Sequence, residues 1–118
     1  MKGRASAGAG NGPSEKVITR QIMTWLSWNG FFVWKQWQGP MSRPGVSDIL
    51  GVLPGGRFLA IEVKTRRGRL TRRQKAFLSS VNQKGGLGFV ARSLEDVVET
   101  LRGYTPRAES KKAGSTDE

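Results

Sequence analysis

Three acidic side chains stand apart from the rest of the charge pattern. The first 94 residues contain only Glu15, Asp48 and Glu62 as acids, whereas the other six of the nine carboxylates follow residue 94. Glu62 interrupts the apolar run LAIEV, where an unpaired buried carboxylate would cost several kcal/mol. Because side chains alternate along a strand, Glu62 and Lys64 share one face. The sequence therefore predicts a carboxylate and an ammonium group side by side.

These acids have the chemistry of a divalent metal site. Asp48 begins a neighbouring strand, and Glu15 in the first turn of a helix could approach as a third oxygen ligand. Oxygen ligands without His or Cys favour Mg²⁺ or Mn²⁺. Lys64 could orient or deprotonate a water and stabilise charge on a phosphate, as metal-assisted phosphodiester hydrolysis requires.

Each of these residues also has a simpler explanation. Glu62 and Lys64 could form a charge pair on a solvated sheet edge. Asp48 could start a strand or turn, and Glu15 is favoured by a helix N-terminus. Gln74 could be the second half of a capping box with Thr71. The functional interpretation depends on the combination of residues.

The composition limits the classes of protein to consider. The chain has 118 residues, 20 Lys plus Arg against 9 Asp plus Glu, a formal charge of +11, and no Cys or His. We therefore expect one domain with a polyanionic partner, and we exclude disulfides, thiolate or imidazole zinc sites and imidazole bases. With no long apolar run, we expect a soluble cytoplasmic protein, associated with the nucleoid of a bacterial or phage-infected cell, with no membrane partner and no small-molecule cofactor.

The elements that position these residues follow from periodicity and turn signals. The pattern predicts, in order, a helix capped by Ser14 and ended by Asn29-Gly30, strands over 31–37, 46–53 and 57–65, a helix capped by Thr71 and running to about Lys84, a strand over 87–91, and a helix capped by Ser93. This order gives an α/β fold with a mixed sheet flanked by helices, in which the last strand joins by a parallel crossover. We predict one domain over 14–104 and disordered tails over 1–13 and 105–118.

Two further groups of residues point to binding surfaces. Basic side chains crowd the segment after the Glu62 strand and predict contacts to phosphate; they are Arg66, Arg67, Arg69, Arg72, Arg73 and Lys75, with Arg57 at the start of that strand. Aromatic side chains crowd residues 25–37, either as core or as a homodimer interface; they are Trp25, Trp28, Phe31, Phe32, Trp34 and Trp37. No base-reading motif is present, so we expect recognition of DNA shape.

Several motifs together resemble a known nuclease family. Ser47-Asp48, a spacer and Ile61-Glu62-Val63-Lys64 resemble the PD-(D/E)-x-K signature, with Ser where the signature has Pro. More narrowly, RPGVSD (43–48), FLAIEVKT (58–65), GRLT (68–71), Gln74 and Gly85-Gly86 are similar to the VRR-NUC family of virus-type replication and repair nucleases, in its stand-alone form.

The resemblance implies a fold, a reaction and a set of site residues. It implies a restriction-endonuclease-like αβββαβ core that holds Mg²⁺ or Mn²⁺ through Glu15, Asp48, Glu62 and the carbonyl of Val63. Asp48, Glu62, Lys64 and Gln74 would be catalytic or support catalysis. It also implies a homodimeric endodeoxyribonuclease that cuts branched DNA, above all four-way (Holliday) junctions, in repair or recombination.

Other functions stay open at this point. A flap nuclease or a restriction-type nuclease could share the same core, although sequence-specific cutting would normally need extra segments for base readout. A non-catalytic DNA-binding module would keep the arginines but would be free to lose the acids. Cleavage assays on linear, flap and junction DNA distinguish these functions.

Overall fold

A computed structural model describes residues 12–105 of the chain. The elements in chain order are α1 (Glu15–Trp28), β1 (Phe32–Lys35), β2 (Ile49–Val52), β3 (Phe58–Val63), α2 (Arg72–Gln83), β4 (Leu87–Ala91), α3 (Leu94–Thr100) and a short 3-10 helix (Arg102–Tyr104). The predicted tails, apart from Gly12, Pro13 and Thr105, lie outside the described residues, so their disorder and the domain limits stay predictions. Within residues 12–105 no helix is both long and apolar enough to span a bilayer.

Helix α1 begins and ends where its sequence signals predict. The Ser14 side chain accepts a hydrogen bond from the Val17 N–H, which satisfies one of the free donors of the first turn. Ile18, Ile22 and Leu26 repeat at helical spacing and are fully or almost fully buried. Gly30 follows the Asn29 cap with a φ of +81°, a backbone conformation that glycine adopts at little cost. This helix therefore covers one face of the sheet.

The four strands form one mixed sheet in the order β1-β2-β3-β4. β1 pairs antiparallel with β2, and β2 pairs antiparallel with β3, so the predicted hairpin is confirmed. The turn between β2 and β3 is closed by the Gly56 N–H donating to the Leu53 carbonyl, and Gly55 and Gly56 both have positive φ. β3 pairs parallel with β4, which confirms the predicted crossover through α2.

The two faces of β3 carry different side chains. Leu59, Ile61 and Val63 point into the main core, which α1 and α3 cover. Ala60 points to the other face, where it joins Leu78 of α2. Alternation then places Glu62 on the α2 face, as predicted.

The strands are shorter than the sequence predicts. Trp37 lies beyond β1, Asp48 precedes β2, and Lys64 follows β3. These residues keep part of the sheet hydrogen bonding: the Gln36 N–H donates to the Asp48 carbonyl, and the Lys64 N–H donates to the Ala91 carbonyl. Asp48 and Lys64 therefore lie just beyond the ends of their strands, where the hydrogen-bond ladder stops.

Candidate active site

The register of the hairpin brings Asp48 and Glu62 together. Ile49 pairs with Ile61, so one step further along each strand Asp48 lies opposite Glu62 on the same face. The Val63 N–H donates a hydrogen bond of 2.9 Å to Asp48 Oδ2 and holds that carboxylate against β3. The two acids that lie 14 residues apart in sequence are therefore neighbours at the end of the sheet.

Glu62 is a buried acid with an incomplete set of partners. The residue is only 2% exposed, and Oε1 receives no hydrogen bond from any described residue. Burial is the main cause that raises the pKa of Glu62 from 4.5 to about 8, and the neighbouring carboxylate of Asp48 raises it further. Lys64 opposes this shift. Without a bound metal ion, Glu62 therefore favours its neutral form at neutral pH.

Two side chains contact the other oxygen of Glu62. Lys64 Nζ lies 3.8 Å from Glu62 Oε2, and both side chains are largely buried, so the solvated charge pair on a sheet edge is excluded. Gln74 Nε2 donates a hydrogen bond of 3.0 Å to the same Oε2. Glu62 thus presents Oε2 to protein donors and leaves Oε1 available.

Gln74 serves the helix and the site at once. Its Oε1 accepts a hydrogen bond from the Thr71 N–H, while its own N–H donates to Thr71 Oγ1, which completes the predicted capping box. Because the amide oxygen is used by the cap, the amide nitrogen must face Glu62. The predicted capping box is therefore confirmed, and Gln74 also contacts Glu62, while its role in catalysis stays a prediction.

Glu15 does not complete a preformed cluster. Among residues 12–105 no three acidic side chains are grouped closely enough to hold one ion, so the expected convergence of Glu15, Asp48 and Glu62 is not found. Glu15 is exposed in the first turn of α1, and its charge is the smallest of the effects on the pKa of Glu62. The reason is that the start of α1 extends into solvent, which leaves Glu15 near the acid pair but outside it.

The acid pair nevertheless fits a divalent cation. A buried carboxylate oxygen without a hydrogen-bond donor, next to a second carboxylate, is an arrangement that a bound cation would satisfy. Asp48 and Glu62 supply the carboxylate ligands, and Val63 lies directly between Glu62 and Lys64 with its carbonyl as a predicted third ligand. All these donors are oxygen atoms, as Mg²⁺ and Mn²⁺ prefer.

Comparison with known proteins decides the family. The VRR-NUC domain model matches residues 21–95, which include Asp48, Glu62, Lys64 and Gln74. The chain belongs to the VRR-NUC family. A solved structure described as a "VRR_NUC domain protein" superposes with a TM-score of 0.66 at 18% identity, covering 79% of this chain and 88% of that one. No curated protein matches the chain.

The family establishes the broad activity of this VRR-NUC chain. It is a nuclease of the PD-(D/E)XK type with DNA as the implied substrate, in a family whose nucleases are typically metal-dependent. The solved relative, at its low identity, confirms the restriction-endonuclease-like mixed sheet flanked by helices. The predicted family and fold are therefore confirmed.

The basic residues form an exposed surface beside the VRR-NUC acid pair. All six predicted phosphate contacts are exposed, and none forms an ion pair with an acid of residues 12–105; they are Arg66, Arg67, Arg69, Arg72, Arg73 and Lys75. Arg57 does not belong with them. It lies before the opposite end of β3, where it donates to the carbonyls of Gly85 and Gly86 and to the Tyr104 hydroxyl.

Arg92 is a functional candidate that the sequence analysis missed. Its Nη1 donates to the carbonyls of Thr65 and Gly68 at 2.7 Å each, and to that of Arg66 at 3.3 Å. It thereby fastens the loop that carries Arg66 and Arg67 to the end of β4. Arg92 directly follows the last buried residue of β4, which is the only signal that the sequence offers.

The aromatic residues divide between core and surface. Phe31 is buried and stacks at 5.8 Å on the half-buried Trp25. Phe32 and Trp34 are exposed, 68% and 39%, and contact each other edge to face on the α2 face of β1. Trp28 and Trp37 are also exposed. Core packing therefore explains only two of the six.

Proposed function

We propose that the chain is a Mg²⁺- or Mn²⁺-dependent endodeoxyribonuclease that hydrolyses phosphodiester bonds in branched DNA, above all four-way junctions. The observation that carries this proposal is the buried Glu62, which lies opposite Asp48 and beside Lys64 and has one oxygen without a donor. A structural ion pair would not need a second carboxylate against the first. The arrangement instead fits a group that binds a cation and a phosphate together.

The side chains divide the work of hydrolysis. Asp48 and Glu62 would hold the ion, with the Val63 carbonyl as a further ligand. When bound, the ion would polarise the scissile phosphate and acidify water. Lys64 carries a positive charge on the same face, where it can orient the attacking water and stabilise charge on a phosphate oxygen. Gln74 fixes the orientation of Glu62 and supports both.

The basic surface supports DNA as the substrate. The segment from Arg66 to Lys75 brings six exposed cations to the end of the sheet where the acids lie. Contacts of this kind bind phosphates of any sequence, so selectivity would arise from the shape of the DNA. A role in repair or recombination, in the cytoplasm, is part of the proposal.

A homodimer is also part of the proposal. The described sheet ends at β1, whose outer edge has no strand partner. Phe32 and Trp34 lie on the same face of the sheet as α2, but α2 packs over β3 and β4 and leaves these two rings exposed. A second copy along β1 would cover both rings and place two sites on one junction. Light scattering should give twice the monomer mass for the wild type and the monomer mass for Trp34→Ser; a monomeric wild type contradicts the dimer.

Cleavage assays test the enzyme directly. Labelled linear duplex, flap and four-way junction DNA are incubated with Mg²⁺, Mn²⁺ or a chelator. Asp48→Asn, Glu62→Gln and Lys64→Met should each lower cleavage by at least about 100-fold. Glu99→Gln is the matched control, because Glu99 is an exposed acid on α3 that pairs only with Arg102. Cleavage that survives the chelator or all three variants would contradict the mechanism.

A further inference from the structure

We propose that Trp37 is a stacking platform for an unpaired nucleobase beside the catalytic acids. This inference rests on the proposed DNA nuclease and names the residue that would recognise an open strand. The ligand is a DNA base outside a duplex, of any sequence.

Trp37 is tied to the segment that carries Asp48 on both of its sides. Before it, the Gln36 N–H donates a hydrogen bond of 2.7 Å to the Asp48 carbonyl. After it, Gln38 Nε2 donates to the carbonyls of Val46 at 3.0 Å and Ser47 at 3.4 Å. The residues on either side of Trp37 therefore bind the backbone of residues 46–48, the segment that ends with Asp48. Trp37 lies at the catalytic end of the sheet.

The ring is held in place and still open to solvent. A Cβ built on Gly39 would fall 1.7 Å from Trp37 Cζ2 and 2.0 Å from Cη2, so the ring rests on the Gly39 backbone where no side chain fits. Trp37 is nevertheless 61% exposed. A large aromatic surface that is already positioned loses little conformational entropy when a ligand covers it.

Unpaired cations adjoin the loop that carries Trp37. Arg43 of this loop and Arg73 of α2 line a groove of about 420 Å³ with Phe77 on its wall. Neither arginine pairs with an acid of the described chain. The loop lies directly on α2, because a Cβ at Gly45 would be 2.7 Å from the Arg73 carbonyl. The loop that carries Trp37 therefore also carries Arg43 and packs against Arg73, and aromatic side chains together with cations bind single-stranded nucleic acid.

The charge around Trp37 favours DNA as its ligand. The adjoining Arg43 and Arg73 have no acidic partner among residues 12–105, and the chain has a net charge of +11. DNA brings the opposite charge. In an intact duplex the bases stack on one another and cannot reach the indole, so Trp37 gains a contact only where the strands separate. A flap carries such unpaired bases and a four-way junction exposes them only where base pairs open at its branch point, whereas linear duplex keeps its bases stacked.

Binding without turnover tests the inference. Fluorescence anisotropy is measured in chelator with labelled oligothymidylate and with blunt duplex of equal length. Trp37→Ala should weaken oligothymidylate binding roughly tenfold, as expected when one stacked base is lost, and change duplex binding less than about twofold. Trp37→Phe should restore most of the difference. Trp28→Ala is the matched control, since Trp28 is 71% exposed near the opposite end of β1, and the ratio of the two affinities should stay at the wild-type value.

Three results would overturn the assignment. Equal weakening on both DNAs would make Trp37 a general contact, and unchanged binding would remove it from the interface. A shift from dimer to monomer in light scattering, with the affinity ratio kept, would assign Trp37 to self-association. Binding is measured in chelator, so it can be assigned to Trp37 even if the enzyme proves inactive in the cleavage assays. If the enzyme is active but Trp37→Ala leaves the ratio of the oligothymidylate and duplex affinities unchanged, only the role of Trp37 is removed.

Discussion

At the scale of single residues, the site depends on the environment of one carboxylate. Glu62 is a buried acid at the end of β3, where Lys64 and Gln74 contact one of its oxygens and Asp48 lies opposite. Burial is the main cause of the raised pKa of Glu62, about 8, and the neighbouring carboxylate of Asp48 raises that pKa further. The buried acid therefore lowers stability wherever it must ionise without a compensating ion.

This cost should appear as a dependence of stability on pH. The pKa of Glu62 is about 8 in the folded protein against 4.5 ordinarily, so the folded state retains its proton more strongly than the unfolded chain. In chelator, the contribution of Glu62 to the free energy of unfolding should be largest below pH 4.5 and be lost as pH rises to about 8. Thermal unfolding of wild type and Glu62→Gln from pH 5 to 8.5 should show this fall only in wild type.

Added Mn²⁺ or Mg²⁺ should reverse the same loss. The ion competes with the proton of Glu62, so the increase in Tm should be larger at pH 8 than at pH 5. Parallel Tm curves for wild type and Glu62→Gln, with no response to metal, would show that the acid pair does not hold an ion.

Ser47 offers a second test at this scale. The residue is fully buried, and its hydroxyl has no hydrogen-bond partner within residues 12–105. Removing a buried hydroxyl without a partner should leave stability unchanged or raise it by about 1 kcal/mol. Urea denaturation of Ser47→Ala measures this, and a loss of more than about 1 kcal/mol would show that the hydroxyl has a partner.

At the scale of elements, helix α2 positions the site through its first turn. The capping box orients the Gln74 amide toward Glu62, so a local signal for a helix start also sets a contact across the fold. Sequence periodicity predicts this helix because both halves of the box lie three residues apart. It could not predict the contact with Glu62, which depends on how the crossover seats α2 on the sheet.

Two substitutions separate the roles of Gln74. Thr71→Ala removes one cap hydrogen bond but keeps the Gln74 amide on Glu62, so it should cost about 1 kcal/mol of stability while cleavage continues. Gln74→Ala should cost a similar amount and also lower cleavage more than about tenfold, because Glu62 loses its donor. If Thr71→Ala and Gln74→Ala lower cleavage equally, Gln74 acts only in the capping box of α2.

The loop after β3 depends on Arg92 in the same way. Arg92→Ala should lower stability by about 1 kcal/mol and weaken DNA binding, because Arg66 and Arg67 lose their fixed positions. All three hydrogen bonds come from Arg92 Nη1, and the shorter side chain of Arg92→Lys places its ammonium one bond short of that position, so this variant should weaken DNA binding as well. Arg102→Ala, which breaks one exposed ion pair, should change stability by less than about 0.5 kcal/mol. Full DNA affinity in Arg92→Lys would contradict the role of Arg92 in holding the loop that carries Arg66 and Arg67.

The sequence predicts the order of elements well and the convergence of side chains less well. Alternation along β3 correctly places Glu62 with Lys64, and the hairpin correctly places Asp48 nearby. Glu15 was expected to join them, but the direction of α1 relative to the sheet cannot be read from periodicity. Arg57 was grouped with the basic surface because it is close to it in sequence. In space the length of β3 lies between them, with Arg57 before one end of the strand and the basic segment after the other.

At the scale of the whole molecule, charge controls the affinity for DNA. The chain has a net charge of +11, and six exposed cations lie within ten residues next to the acid pair. If each neutralises one phosphate of a duplex, log K should fall against log salt with a slope near −5. Arg66→Gln with Arg67→Gln should make the slope shallower by about 2, measured by anisotropy in chelator. An unchanged slope would place the contact elsewhere.

The parallel pairing of β3 with β4 has a consequence for the newly made chain. Asp48 and Glu62 meet through a hairpin that can close early, but the Lys64 N–H needs the carbonyl of Ala91, which is synthesised 27 residues later. Until β4 arrives, the strand that bears the carboxylate is an open edge. An unfinished polypeptide can therefore already carry Arg66 to Arg73 while the strand that bears Glu62 still lacks its second neighbour.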